Sequence, residues 1–174
     1  MLRLLFEKKG NAIWISHLDL MRLFQRAFKR AGFSLTHTKG FNPRPSVSIA
    51  LPLSVGVSSC CELLNFELEE SGVSCEKICQ KLNESLVEGV KVLSVYPDGR
   101  KLKELSYLQC AVRLEYDNGV PDHAVDALKN LFDREELIVS KKSKNGITEQ
   151  NIIPMIRSCN ISRDNENTIC MQAV

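Results

Sequence analysis

Four basic residues recur at helical spacing in the first third of the chain. Arg22, Arg26, Lys29 and Arg30 occupy positions i, i+4, i+7 and i+8, which share one face of an α-helix. They would span roughly 12 Å of helix, and Asp19 is the one acid close to them in sequence. Phosphates suit such a cluster because guanidinium groups bind them bidentately and each contact releases counterions. The pattern therefore predicts a phosphate-binding face, with a solvated amphipathic helix as the alternative.

A stiff basic loop follows this helix at residues 39–45, KGFNPRP. Its two prolines fix φ and remove backbone donors. Cations interleaved with an aromatic ring are typical of surfaces that bind single-stranded RNA. We predict that Lys39 and Arg44 contact phosphate, that Phe41 stacks on a base and that Asn42 contacts a polar base edge. The alternative for Phe41 is that its ring packs inward and anchors the loop.

Two histidines, His17 and His37, flank the basic helix in sequence. Imidazole titrates near neutral pH, so either residue could serve as a general acid or base in RNA cleavage. A histidine at a helix start more commonly satisfies backbone groups. We therefore treat the pair as the catalytic candidates of an alternative function.

The charge distribution also favours a polyanionic ligand. Residues 1–50 hold nine Lys and Arg against two acids, a balance of +7, whereas the whole chain has a net charge of only +2. Such asymmetry is typical of chains that bind polyanions. With 174 residues, 44% of them hydrophobic, the composition excludes a disordered chain.

Other sequence features predict where the protein resides. The apolar stretches are of strand length, which predicts no transmembrane helix and no membrane partner. The first ten residues lack the apolar core of a signal peptide. Seven cysteines without such a signal predict reduced thiols in the cytoplasm.

Cys75 and Cys79 have the first spacing of the radical-SAM cluster motif, but position 82 is Leu where the third cysteine would stand. Both fall on an apolar helical stripe, so we expect buried core thiols. The common nucleotide, hydrolase and zinc signatures are also missing. The sequence therefore predicts no metal, no cofactor and no catalytic residue within this chain.

The apolar periodicity predicts how the chain positions these residues. Alternation over residues 2–6 predicts a strand, residues 13–15 extend the chain, and Ser16 caps a helix that ends at Gly32. A long strand over 47–55, interrupted by Pro52, comes next. The remaining elements of this unit are a strand over 64–68, a helix from Ser74 to Gly89 and a strand over 90–96.

This order, β-α-β-β-α-β over residues 1–97, predicts a ferredoxin-like split βαβ fold of the α+β class. After a turn at 97–101, residues 105–174 predict a second, incomplete ferredoxin-like unit, with a basic loop at 141–146. The sequence stops within a strand-like pattern at 171–174. We therefore expect the second unit to be truncated at its C-terminus.

Three segments carry a family resemblance: SHLDLMR at 16–22, GFNP at 40–43, and LPL at 51–53 with GV at 56–57. Together with TEQNI at 148–152, they resemble the radical-SAM-linked protein family. That family is a bacterial domain of unknown function, found beside or fused to a radical-SAM enzyme. Its members usually continue into a short acidic, glycine-containing segment that this sequence lacks.

The resemblance implies a context but no reaction. Family members are often encoded near a ribosome-associated ribonuclease and ribosomal proteins, which implies an RNA partner. We expect a non-catalytic RNA-binding module that works with a radical-SAM enzyme on RNA or translation components. The iron–sulfur cluster and S-adenosylmethionine would belong to that enzyme. The alternatives are a protein-docking module for the enzyme and a metal-independent endoribonuclease that uses His17 or His37.

Overall fold

A computed structural model describes residues 1–97, 99–143 and 146–174. The chain is a mixed α+β protein with antiparallel sheets, which confirms the predicted class. It divides into two compact units, residues 1–104 and 105–174. The described elements are, in chain order, β1 (Leu2–Lys8), α1 (His17–Arg30), β2 (Val47–Ile49), β3 (Ser59–Phe66), α2 (Cys75–Ser85), β4 (Val90–Pro97), β5 (Cys110–Glu115), α3 (Ala124–Phe132), β6 (Ile138–Ser143), β7 (Gly146–Asn151), β8 (Cys159–Asn165) and β9 (Thr168–Ala173).

The first unit is a four-stranded antiparallel sheet in the order β2-β3-β1-β4. Residues of α1 and α2 share one core cluster with the sheet, and two ring pairs lie within it. Phe6 meets Phe24 edge to face at 4.9 Å between ring centroids, and Phe28 meets Phe66 at 4.8 Å. Each fully buried ring stabilises the fold by about 2 kcal/mol, so this cluster holds α1 against the sheet.

Helix α1 begins and ends where its sequence predicts. The hydroxyl of Ser16 accepts a hydrogen bond from the backbone N–H of Asp19 at 3.2 Å, and the same hydroxyl donates to the Asp19 carboxylate at 2.7 Å. At the other end Gly32 takes a left-handed conformation with φ +80°, which glycine adopts at little cost. These two residues fix the length of the helix and therefore which cations it carries.

The predicted strand over 47–55 is wrong in length, because β2 covers only Val47–Ile49. The backbone N–H of Ala50 still donates a hydrogen bond to the carbonyl of Leu63 in β3 at 2.9 Å. Leu51 then takes φ +45°, and Pro52 has no N–H to continue the ladder. The alternating pattern that follows therefore lies in a loop, with Leu51 and Val55 exposed.

Residues 13 and 14 differ from the extended conformation that the sequence predicts over 13–15, whereas Ile15 is extended. The chain forms a 3-10 helix over Gly10–Trp14, which three bonds fix in place. The buried ammonium of Lys8 donates to the carbonyl of Ile15 at 3.0 Å, and the N–H of Gly56 donates to the carbonyl of Ile13 at 2.9 Å. The N–H of Lys9 donates to the carbonyl of Gly89 at 2.7 Å.

Helix α2 starts at its predicted cap, Ser74, whose hydroxyl accepts from the N–H of Lys77 at 3.2 Å. It ends at Ser85 rather than at Gly89, because Leu86 is already extended. Gly89 has a different role, since it lies against the 3-10 segment with φ +86°. A side chain there would collide with the carbonyl of Lys9 and lie 2.9 Å from the Cβ of Ala12.

We expect Gly89→Ala to lower the free energy of unfolding of the first unit by about 3 kcal/mol, through left-handed strain plus this collision. Gly32→Ala is the matched control. Gly32 has a similar φ of +80° but no atom within 4 Å of an added Cβ, so only the strain remains, about 1 kcal/mol. Urea denaturation of both variants measures the difference, and equal losses would show that residues 9–12 give way.

The second unit contains a three-stranded sheet in the order β5-β9-β8 and a hairpin of β6 and β7. Helix α3 packs against β8, and Val120, Ile161 and Ile169 form its buried core. The predicted loop at 141–146 is wrong in part. Residues 141–143 extend β6 and Gly146 begins β7, because they pair along the hairpin ladder, while residues 144–145 lie outside the described residues.

Candidate nucleic-acid interface

The cations of α1 lie on its solvent face. The face toward the sheet is apolar, with Leu20, Phe24, Ala27 and Phe28 buried. A helix that packs one stripe in this way leaves the opposite positions to solvent. The predicted ligands on that face are all exposed: Arg22, Arg26, Lys29 and Arg30.

Arg22 forms an exposed ion pair with Asp19, at 3.0 Å between Nη1 and Oδ1. The Ser16 hydroxyl, and after it the Arg22 guanidinium, holds the pKa of the Asp19 carboxyl below its usual value. Asp19 is therefore ionised at neutral pH and offsets part of the local positive charge. An exposed ion pair contributes little to the stability of the fold. A phosphate can therefore replace Asp19 as the partner of Arg22.

Arg26 and Lys29 form no side-chain hydrogen bond with the part of the chain that the structure describes. Arg30 differs from them, since its Nη2 donates to the carbonyl of Ser85 at 2.6 Å. Ser85 is the last residue of α2, where carbonyls lack intrahelical partners. Arg30 thus has a structural contact that its sequence position does not reveal.

The basic loop is closed at its base and open at its tip. The N–H of Thr38 donates to the carbonyl of Arg44 at 2.8 Å, and the N–H of Arg44 donates to the Thr38 hydroxyl at 3.0 Å. Phe41 stands at the tip with its side chain fully exposed, so it does not anchor the loop by packing. Lys39, Asn42 and Arg44 are exposed beside it.

The base of this loop meets the C-terminal half of α1. Lys29 and Gln25 line a shallow groove of about 380 Å³ together with His37 and Pro45. The structure thus brings one helix cation next to the segment that carries Lys39 and Arg44. Glu69 also lines the groove, so positive charge does not extend over that edge.

The structure does not bring the two histidines together. His17 is the first residue of α1, and His37 lines the groove beside Lys29, 12 residues along the helix and roughly 18 Å away. Nδ1 of His17 is buried and has no hydrogen-bond partner among the described residues. His37 therefore lies in the groove with Lys29.

The exposed aromatic residue Trp14 was not among the predicted site residues. Trp14 precedes α1 and is 67% exposed, and Leu18 in the first turn is 66% exposed. The sequence carries no signal for this, because an Ile-Trp-Ile segment is as compatible with a buried strand as with a surface platform.

Cys75 and Cys79 are half-buried rather than fully buried as predicted. They pack against the core but also line a groove with Leu93. Leu93 is the extra residue at a register shift in β4, an edge strand, so the sheet does not cover this side of α2 completely. Among the described residues, no group of three or more His, Cys, Asp or Glu side chains is placed to hold a metal ion.

We expect a maleimide to label Cys60, Cys61 and Cys110 before Cys79. The first three thiols are exposed. Burial raises the pKa of the Cys79 thiol, so at pH 8 it has less of the reactive thiolate than a free cysteine. Mass spectrometry of labelled peptides over time measures the order, and early labelling of Cys79 would show that α2 opens readily.

No helix in the described ranges is both long and apolar enough to cross a membrane. A comparison of the chain with curated proteins found no match. A family model described as "uncharacterized protein conserved in bacteria (DUF2344)" matches residues 1–174. Because that match covers the entire sequence, this chain belongs to the DUF2344 family of bacterial proteins.

Proposed function

We propose that this chain is a non-catalytic RNA-binding accessory protein of the bacterial cytoplasm, which works with a radical-SAM enzyme on RNA or translation components. One observation carries the proposal. The exposed cations of α1 reach, at Lys29, the base of the basic loop, and the exposed tip of that loop bears Phe41. Phosphate affinity and base stacking together are what an unpaired strand requires of a protein.

In this proposal the cations bind the backbone of the RNA and the loop contacts its bases. Phe41 stacks on one base, and Asn42 contacts a polar base edge. Arg30 contributes less, because its guanidinium already bonds to α2. The five phosphate ligands are Arg22, Arg26, Lys29, Lys39 and Arg44.

The fold proposal is that the first unit is ferredoxin-like. Its element order and its strand order β2-β3-β1-β4 support this, as does the core cluster that α1 and α2 share. The second unit would be an incomplete copy, with one helix packed against a three-stranded sheet.

The iron–sulfur cluster and S-adenosylmethionine belong to the partner enzyme in this proposal. The chain described here would hold or present the RNA to that enzyme. Its own residues supply charge and stacking surface, and no bond is made or broken on them.

A second candidate function is protein docking without RNA contact. The loop after β2 exposes three aliphatic side chains, Leu51, Val55 and Val57. Apolar side chains grouped on one loop are a common feature of protein-binding surfaces. The radical-SAM enzyme would be the partner here too.

Fluorescence anisotropy with a labelled single-stranded RNA of about 12 nucleotides tests the proposal over a series of salt concentrations. With five phosphate contacts, log K should fall with log salt at a slope of roughly −3.5. A protein that binds no RNA at low salt but co-purifies with the enzyme would be the docking module instead.

The same samples, incubated with EDTA, test the endoribonuclease alternative. We expect the RNA to stay intact. Cleavage that His37→Ala abolishes would replace the accessory role with catalysis.

A further inference from the structure

We propose that Trp14 is a second stacking residue, so that the cations of α1 lie between two aromatic platforms and the ligand is an unpaired RNA strand. This rests on the proposed function, and it adds a residue that the sequence pattern did not indicate. Trp14 is the single tryptophan of the chain, and its side chain is 67% exposed.

The indole of Trp14 lies near the backbone of Gly56. A Cβ built on Gly56 would lie 3.4 Å from Cζ3 of the indole and 3.8 Å from Cη2. These are ordinary van der Waals distances, so glycine is favoured at position 56 by its φ of +87° alone. The ring therefore has Gly56 near one edge and is 67% exposed, so it is accessible for stacking.

The backbone that carries Trp14 is fixed before any ligand arrives. The carbonyl of the preceding residue, Ile13, accepts from Gly56, and the carbonyl of the following residue, Ile15, accepts from Lys8. Lys8 is only 1% exposed, so this bond is shielded from water. A platform that is already ordered loses little entropy on binding.

The order of side chains along α1 indicates the route that the RNA strand would take. Leu18, Arg22 and Lys29 follow at intervals of four and seven, a spacing that keeps them on one face. Trp14 lies just before the start of α1, and the loop of Phe41 meets the helix at Lys29. The 14 residues of α1 span roughly 21 Å, and its cations lie at or after Arg22. Trp14 therefore precedes the helix at one end, and the loop of Phe41 meets it near the other.

This arrangement favours an unpaired strand over a duplex. In a duplex the base faces are covered by neighbouring bases, whereas an unpaired strand can turn them toward aromatic side chains. Gly56, beside the indole, lies between the exposed Val55 and Val57, so a protein ligand is the alternative that binding of the enzyme by the variants below tests.

The intrinsic fluorescence of the full chain tests this directly, because Trp14 is its only indole. Titration with unlabelled single-stranded RNA of about 12 nucleotides should quench the emission with the same Kd that anisotropy measures. A duplex of the same sequence should leave the emission unchanged.

Two variants make the test specific. Trp14→Leu should weaken single-strand binding at least about 5-fold by anisotropy, which corresponds to about 1 kcal/mol. Its salt slope should stay as in the parent, since no charge is removed. Trp14→Phe keeps a ring and should bind nearly as the parent does, and thermal melting confirms that both variants fold.

The failures are distinguishable. Salt-dependent RNA binding with unchanged Trp14 emission, and with parental affinity in Trp14→Leu, would overturn this proposal and leave the proposed function standing. If Trp14→Leu no longer co-purifies with the radical-SAM enzyme but still binds RNA with parental affinity, Trp14 belongs to a protein interface and this proposal is wrong. No RNA binding at all would overturn both.

Discussion

Replacement of both Arg22 and Arg26 by alanine should reduce the slope of log K against log salt from roughly −3.5 to roughly −2. Two of five phosphate contacts are removed, each contributing about −0.7 on a single strand. At 0.1 M salt the same counting predicts an affinity loss on the order of 20-fold. Both side chains are exposed, so the free energy of unfolding should change by no more than about 0.5 kcal/mol per site.

Arg30→Ala is the matched control for this double variant. It removes a cation from the same helix, but one whose Nη2 bonds to the carbonyl of Ser85. We expect its salt slope to stay near that of the parent and its stability to fall by about 1 kcal/mol. A double variant with parental RNA affinity would show that this face of α1 does not bind RNA. A reduced slope in Arg30→Ala would show that Arg30 also contacts phosphate.

Local signals in the sequence account for the part of this surface that α1 supplies. The Ser16 cap, the apolar stripe and Gly32 set the length and orientation of the helix. Once these are fixed, the exposure of Arg22, Arg26 and Lys29 follows from helical geometry alone. Ser74 starts α2 by the same chemistry.

Contacts between residues distant in sequence determine the features that the sequence pattern did not predict. Arg30 meets Ser85 across 55 positions of sequence, a pairing that no local spacing encodes. Alternation continues through residues 50–55, but a left-handed Leu51 and the missing donor of Pro52 end β2 at Ile49. Gly89 was predicted as a helix end, while the structure uses it for close approach to Lys9.

The sequence pattern also left open whether the rings of Phe41 and Trp14 are exposed. Side-chain size and hydrophobicity predict that Phe and Trp are buried. The prolines and Gly40 of the basic loop indicate a turn but leave open whether Phe41 points inward. The structure places both rings at the surface, and hydrogen bonds between Thr38 and Arg44 and around the 3-10 segment hold the backbone that carries them.

Phe41→Ala should lower the affinity for single-stranded RNA by about 5- to 150-fold, the equivalent of 1–3 kcal/mol for one stacked base. Because the ring is fully exposed, its removal exposes no cavity and thermal melting should be unchanged. Phe41→Tyr keeps the stacking face and should bind as the parent does, and the salt slope should be the same in all three proteins. Anisotropy over a salt series measures each quantity. Parental affinity in Phe41→Ala would show that the loop contributes charge alone, since Lys39 and Arg44 remain in place and only the ring is gone.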